Sequence, residues 1–280
     1  MRIVDNIAAL RIHTHLTRTN SAIAQSSLRL SSGFRINSAG DDPAGFAISL
    51  QLRKQVAALN MADRNTLDGT SLLQTADAAL QDVHDMLQRI RELSVQASND
   101  TNSPEDRITI QREVTELLNE IDDVTRKVEF NNIRLLNGET QNLRIQVGGR
   151  QFMSIAINIP SFHTTELGLR WEDTANPGEI IGIDVSTWEG AQEAIDLATA
   201  ASDEVSRRRA ELGAFINRFE YTSSSLRAAE EATSRSLSRV QDTDMAYEMM
   251  QLSIHNILNQ AGMAIMAQVN ARPQQILQLI

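Results

Sequence analysis

The chain has 280 residues, a formal net charge of −10, few aromatic side chains and no cysteine. An acidic balance excludes a nucleic-acid surface, which needs clustered basic groups, and the absence of thiols excludes disulfides and thiolate metal sites. Ala, Leu, Ile, Ser, Gln, Asn, Glu and Arg dominate over Pro, Gly and aromatics, the composition of long packed helices. The expected fold is mainly α, an elongated antiparallel helical coiled-coil bundle with a small β-hairpin region.

The first segment carries Ile12, Leu16, Ile23 and Leu30 at helical spacing and stops at Ser31-Ser32-Gly33. Gly40-Asp41-Asp42-Pro43 is the next break. Asp42 suits an N-cap there, with Pro43 at the first helical position, where its missing N–H costs nothing. A long helix is expected from Pro43 to about Asn99. Its seam is Ala76, Leu80, Val83, Leu87 and Ile90, alternating four and three, beside a row of Leu72, Ala79, Met86 and Leu93 spaced by seven. Asn99 to Glu105 reads as a turn with Ser103 as N-cap and Pro104 behind it. The following helix carries Ile110, Val114, Leu117, Ile121, Val124 and Val128. So short a connection makes the two helices antiparallel neighbours.

After Asn137-Gly138 the period falls to two. Leu143, Ile145 and Val147, then Met153, Ile155, Ile157 and Ile159, flank Gly148-Gly149-Arg150 and predict a hairpin. Residues 160–178 read as irregular, with one further short strand through Ile181, Ile183 and Val185. Helix resumes near Trp188 and runs to about Val240 on a seam that includes Ala198, Val205, Leu212, Phe215, Phe219 and Leu226. Asp242-Thr243-Asp244 interrupts, and a last helix runs towards Pro273. These breaks divide the chain into residues 1–42 with 241–280, a helical bundle of 43–138 with 188–240, and a small β region of 139–187.

The two ends are sparsely charged. Residues 1–60 sum to +4, residues 61–240 to −12 and residues 241–280 to −2. The last thirty-six residues hold sixteen large apolar side chains. Burying one face of such a helix falls short of the entropy lost in ordering its backbone. The ends are therefore expected to pack together and against copies of the same chain. Ile12, Leu16, Ile23, Leu30, Met249, Leu252, Ile257, Leu258, Ile265 and Leu277 are the candidate self-assembly residues. Arg11, Arg18 and Arg29 break any secretory apolar run, and no stretch is long enough to cross a bilayer.

Several longer strings resemble bacterial flagellin. In the first half they are Leu28 to Ile48, through Ser31-Ser32-Gly33-Phe34-Arg35-Ile36-Asn37-Ser38-Ala39-Gly40-Asp41-Asp42-Pro43, and Arg89 to Ala97. In the second half they are Leu212 to Tyr221, Ser238 to Ala246, and Gln260 to Asn270. The resemblance covers about residues 1–138 and 188–280. It implies a subunit exported unfolded through the flagellar type III channel, which polymerises into the filament for motility. The termini would line the filament core, with no large outer domains. It further implies an export chaperone on the C-terminal helix by a helix-in-groove mode, and hook-associated junction and cap proteins as neighbours. The location would be an external flagellum, with a periplasmic one the alternative. Arg89, Leu93 and Glu113 match the family's contact motif for Toll-like receptor 5. A hook–filament junction protein, which shares flagellin-like termini, is the alternative function. The ending Arg272 to Ile280, the Met-rich start of the last helix, Arg170-Trp171 and Trp188 depart from the family pattern.

Sharper chemistry has little support. His13 and His15 point in different directions on a helix, Asp41-Asp42 suits a cap better than a Ca²⁺ loop, and Gly148-Gly149 precedes no helix. No nucleophile–base set, cofactor or metal site is expected. A lipid-surface helix would need Lys or Arg flanking its apolar face, and residues 241–280 contain one Arg.

Overall fold

A computed structural model describes residues 6–172 and 180–277 of the chain. Five helices carry the fold: α1 (Ile7–Ser32), α2 (Pro43–Ala97), α3 (Pro104–Lys127), α4 (Trp188–Gln241) and α5 (Met245–Leu277). Their ends are set by local chemistry. Asn6 caps α1 by accepting from the Ala9 N–H at 3.1 Å, and Gly33, at φ +75°, returns its N–H to Arg29 O at 2.8 Å. Asp42 accepts from the Gly45 N–H at 3.0 Å to start α2. Ser103 and Asp106 form a reciprocal capping box at α3, ahead of which stands Pro104 at the first position. Asp244 accepts from the N–H groups of Ala246 and Tyr247 at α5.

The chain forms two compact units, residues 1–57 with 230–280, and residues 58–229. In the second unit the expected seams are the core. Ala76, Leu80, Val83, Leu87 and Ile90 of α2 are fully enclosed, as are Val114 and Ile121 of α3 and Ala198, Val205 and Phe219 of α4. Knobs recurring every three or four residues place all three helices on one continuous apolar interior. Leu118 is buried more deeply than Leu117.

Three two-stranded ladders complete this unit. β1 (Glu129–Phe130) and β2 (Ile133–Arg134) close through Asn131 and Asn132, both at positive φ, as a primed two-residue turn requires. β3 (Leu143–Gln146) pairs with β4 (Ser154–Ile157), Leu143 opposite Ile157 and Ile145 opposite Ile155, which turns Ile155 and Ile157 inwards. β5 (Arg170–Glu172) pairs with β6 (Ile180–Gly182). The expected hairpin is β3–β4. Two expectations are corrected: strand pairing begins ten residues earlier, at β1–β2, and β5 lies in the stretch read as irregular.

A buried carboxylate fixes the approach to β5. Asp122 of α3 accepts from the N–H and hydroxyl of Thr164 at 2.9 Å, from His163 Nδ1 at 3.0 Å and from Arg170 Nη1 at 2.7 Å. Burial pushes the Asp122 carboxyl up, but the hydrogen bonds from Thr164 and His163 and the Arg170 charge outweigh it and hold the carboxyl below its ordinary range.

The first unit has a different interior. Among its described residues Ile36 is the one apolar side chain fully buried. The loop between α1 and α2 is tied to the α4–α5 junction by backbone bonds, Arg35 N–H to Gln241 O at 2.7 Å and Thr243 N–H to Gly33 O at 2.9 Å. Arg53 donates to Gln241 Oε1 at 3.0 Å and lies over the Phe34 ring. Asp41 accepts from Ser38 and Asn37 N–H groups, bonds that hold its carboxyl below the usual range. Gly45 leaves room for its neighbours here: a Cβ would stand 2.6 Å from Ile36 Cδ1 and 2.5 Å from Asp42 Oδ2, so one of those side-chain ends would have to shift. α5 does not stop at Pro273 as expected but continues to Leu277.

Candidate functional site: the paired terminal helices

α1 and α5 lie antiparallel, so that contacts run from Asn6 with Val269 at one end to Arg29 with Glu248 at the other. Between them Leu16 packs on Gly262, where a Cβ would come within 2.9 Å of Leu16 Cδ2, and Asn259 donates to Asn20 Oδ1. The inward stripe of α5 is Glu248, Leu252, His255, Asn259, Gly262, Met266 and Val269, spaced by three and four. That stripe is mixed in polarity. Glu248 is buried there, its carboxylate 3.8 Å from the Arg29 guanidinium.

Because large apolar side chains are spread around α5, giving a mixed stripe to α1 leaves most of them outside. Met249, Met250, Ile254, Ile257, Leu258, Met263 and Ile265 are all exposed, Ile257 to 65 %. Ile7, Leu10 and Leu28 are exposed on α1, Leu10 to 68 %. Isolated surface apolars need no explanation, whereas a helix lined with them on several faces does.

The candidate self-assembly residues divide between these environments. Ile12, Leu16, Ile23 and Leu30 of α1 and Leu252 of α5 are half-buried, while Met249, Ile257, Leu258 and Ile265 face outwards. The side chain of Leu277 lies outside the described residues. Periodicity alone missed Glu248 and Asn259, because polar residues on an apolar helix carry no period of their own.

The candidate receptor residues lie in the other unit. Arg89 bonds Glu113 at 2.7 Å and Glu92 at 3.3 Å, each about half exposed or more. Leu93, one turn along α2 from Arg89, is 1 % exposed and belongs to the core. His13 and His15 are exposed on α1, and among the described residues no three His, Asp or Glu side chains are grouped to hold a metal. None of their helices is long and apolar enough to cross a membrane.

A capped bundle with an incompletely covered terminal helix pair defines a coiled-coil assembly subunit. The family model for the bacterial flagellin N-terminal helical region matches residues 3–141, and that for the C-terminal helical region matches residues 195–280. The chain belongs to the bacterial flagellin family. It is 40 % identical to the flagellin of Bacillus subtilis strain 168 and 40 % identical to that of Halalkalibacterium halodurans, each alignment spanning both chains completely. The flagellar filament 33 kDa core protein of Treponema phagedenis is 36 % identical, also over the whole of both chains. The crystal structure of Bacillus cereus flagellin superposes with a TM-score of 0.50 at 25 % identity, covering 58 % of this chain and 88 % of that one. A Vibrio parahaemolyticus protein described as flagellar hook-associated shares the fold, with a TM-score of 0.58 over 72 % of this chain, at 12 % identity. Full-length identity with filament proteins therefore favours a filament subunit over a junction protein.

Proposed function

We infer that α1 and α5 are the polymerisation element of a structural subunit of the bacterial flagellar filament. One observation carries the assignment to these helices: α5 turns a mixed stripe towards α1 and leaves its large apolar side chains exposed. Neighbouring copies burying those faces would supply the area the helix pair lacks, at about 25 cal/mol for each Å² of apolar surface removed from water. On this reading residues 1–42 and 241–280 line the filament core, 43–138 and 188–240 form the surrounding bundle, and 139–187 add a small β region.

The same exposed faces suit the groove of an export chaperone before secretion. Hook-associated junction and cap proteins are the neighbours at the filament ends, and the filament is external to the cell. Toll-like receptor 5 is a further partner, met through the exposed Arg89–Glu113 pair, with Leu93 holding that stretch of α2 in place from beneath.

Deletion of Met245–Ile280 tests the central reading. Electron microscopy after salting out should show long filaments from the full chain and none from the truncated one. Circular dichroism should still report a folded helical remainder. Filaments from the truncated chain would refute the assignment.

A further inference from the structure

Five of the nine methionines lie in α5: Met245, Met249, Met250, Met263 and Met266. Four of them are open to solvent, at 48 % for Met245, 54 % for Met249, 50 % for Met250 and 55 % for Met263, among the exposed Ile254, Ile257, Leu258 and Ile265. Met266 faces α1 and is half-buried. With no cysteine in the sequence, the methionine thioethers are its only sulfur and are open to oxidation to sulfoxide.

We propose that Met245, Met249, Met250 and Met263 are an oxidation site at which peroxides block assembly of the unpolymerised subunit. The proposal rests on α5 being the polymerisation element. In the reaction the sulfur lone pair attacks one peroxide oxygen and forms the S–O bond as the O–O bond breaks. The thioether loses two electrons to become the sulfoxide, and hydrogen peroxide is reduced to water. Each sulfoxide is a strong acceptor where a flexible apolar group stood. Beyond the first turn of α5, where Asp244 caps the Ala246 and Tyr247 N–H groups, the backbone donors are committed to the helix, and the exposed Ile254, Ile257, Leu258 and Ile265 side chains offer none. Burial against another copy would therefore strip water from the sulfoxide without replacing it. Once assembly covers the sulfurs, peroxide has no access. Sensitivity then belongs to the free subunit, and a methionine sulfoxide reductase restores it.

The test uses the full chain as purified monomer and as preformed filament, each treated with hydrogen peroxide and mapped by peptide mass spectrometry. Oxidised monomer should keep its helical circular dichroism while its critical concentration for polymerisation rises about tenfold or more. Methionine sulfoxide reductases with a dithiol reductant should return it to the starting value. Preformed filaments should show these four methionines unoxidised. A Met61→Leu, Met153→Leu variant, altered at exposed methionines of the other unit, should remain as peroxide-sensitive as the unaltered chain. A Met245→Leu, Met249→Leu, Met250→Leu, Met263→Leu variant should show no peroxide-induced rise, whatever its own critical concentration. The proposal fails if monomer oxidised at the four sites polymerises unchanged, if reductase treatment restores nothing, or if the Met61→Leu, Met153→Leu variant becomes resistant. Failure of the underlying reading is separate: it appears as filaments from the untreated chain lacking Met245–Ile280.

Discussion

The side-chain amide of Asn6 donates to the carbonyl of Val269, 3.4 Å away across the terminal helix pair. That carbonyl lies four residues before Pro273, which has no N–H to return to it. Asn6 thus serves two helices, its oxygen capping α1 and its nitrogen reaching the carbonyl that the proline leaves open in α5. Asn6→Asp keeps the cap and removes the donor. It should leave exchange of the first α1 amides unchanged and speed exchange in α5 around Val269, whereas Asn6→Ala should loosen both ends. The lost donor should cost about 0.5–1.5 kcal/mol. Equal effects of the two variants on the first α1 amides, or no effect of either on α5, would count against the double role.

Acid should weaken the β5 approach through Asp122. Its carboxyl is held below the ordinary 3.8, so the stabilisation it gives is present at neutral pH and is lost as pH falls through the lowered value. Asp122→Asn should lower stability at pH 7 by roughly 1–3 kcal/mol, through donors of Thr164, His163 and Arg170 left without their carboxylate. It should also flatten the loss of stability below about pH 4. Urea titrations at several pH values, followed by the combined fluorescence of Trp171 and Trp188, would reveal either result.

Gly45→Ala should destabilise the first unit. The new Cβ would meet both Ile36 and the capping carboxylate of Asp42, so one must move, at a cost of about 1–3 kcal/mol. Thermal unfolding of the variant beside an exposed Ala47→Ser control would measure it.

Arg89 and Leu93 should separate cleanly. Arg89→Ala breaks an exposed pair and should cost less than about 1 kcal/mol, so any lost receptor signalling in a reporter line would reflect contact. Leu93→Ala empties a core position and should cost roughly 2–5 kcal/mol. Its signalling result is interpretable only beside a stability measurement.

The helical architecture was legible because its signals are periodic and local. Leu80, Val83, Leu87 and Ile90 announce a seam by spacing, and Ser103 with Pro104 announces a helix start by chemistry. The β1–β2 turn was hidden because Asn131-Asn132 is flanked by only two paired residues on each side, too few to show alternation. Arg170 and Asp122, 48 residues apart, meet through tertiary structure that no local pattern encodes. The α1–α5 seam was obscured for the opposite reason. Where large apolar side chains occur on every side of a helix, apolar spacing cannot say which side faces its partner, and that choice rests on Arg29, Asn20 and Leu16 across the gap.

The Asn6–Val269 contact joins residues 263 positions apart in the chain. α1 precedes residues 58–229, which bury their own core, and α5 comes after them. Closing so long a loop costs chain entropy, so the terminal pair should form later than the contacts within residues 58–229.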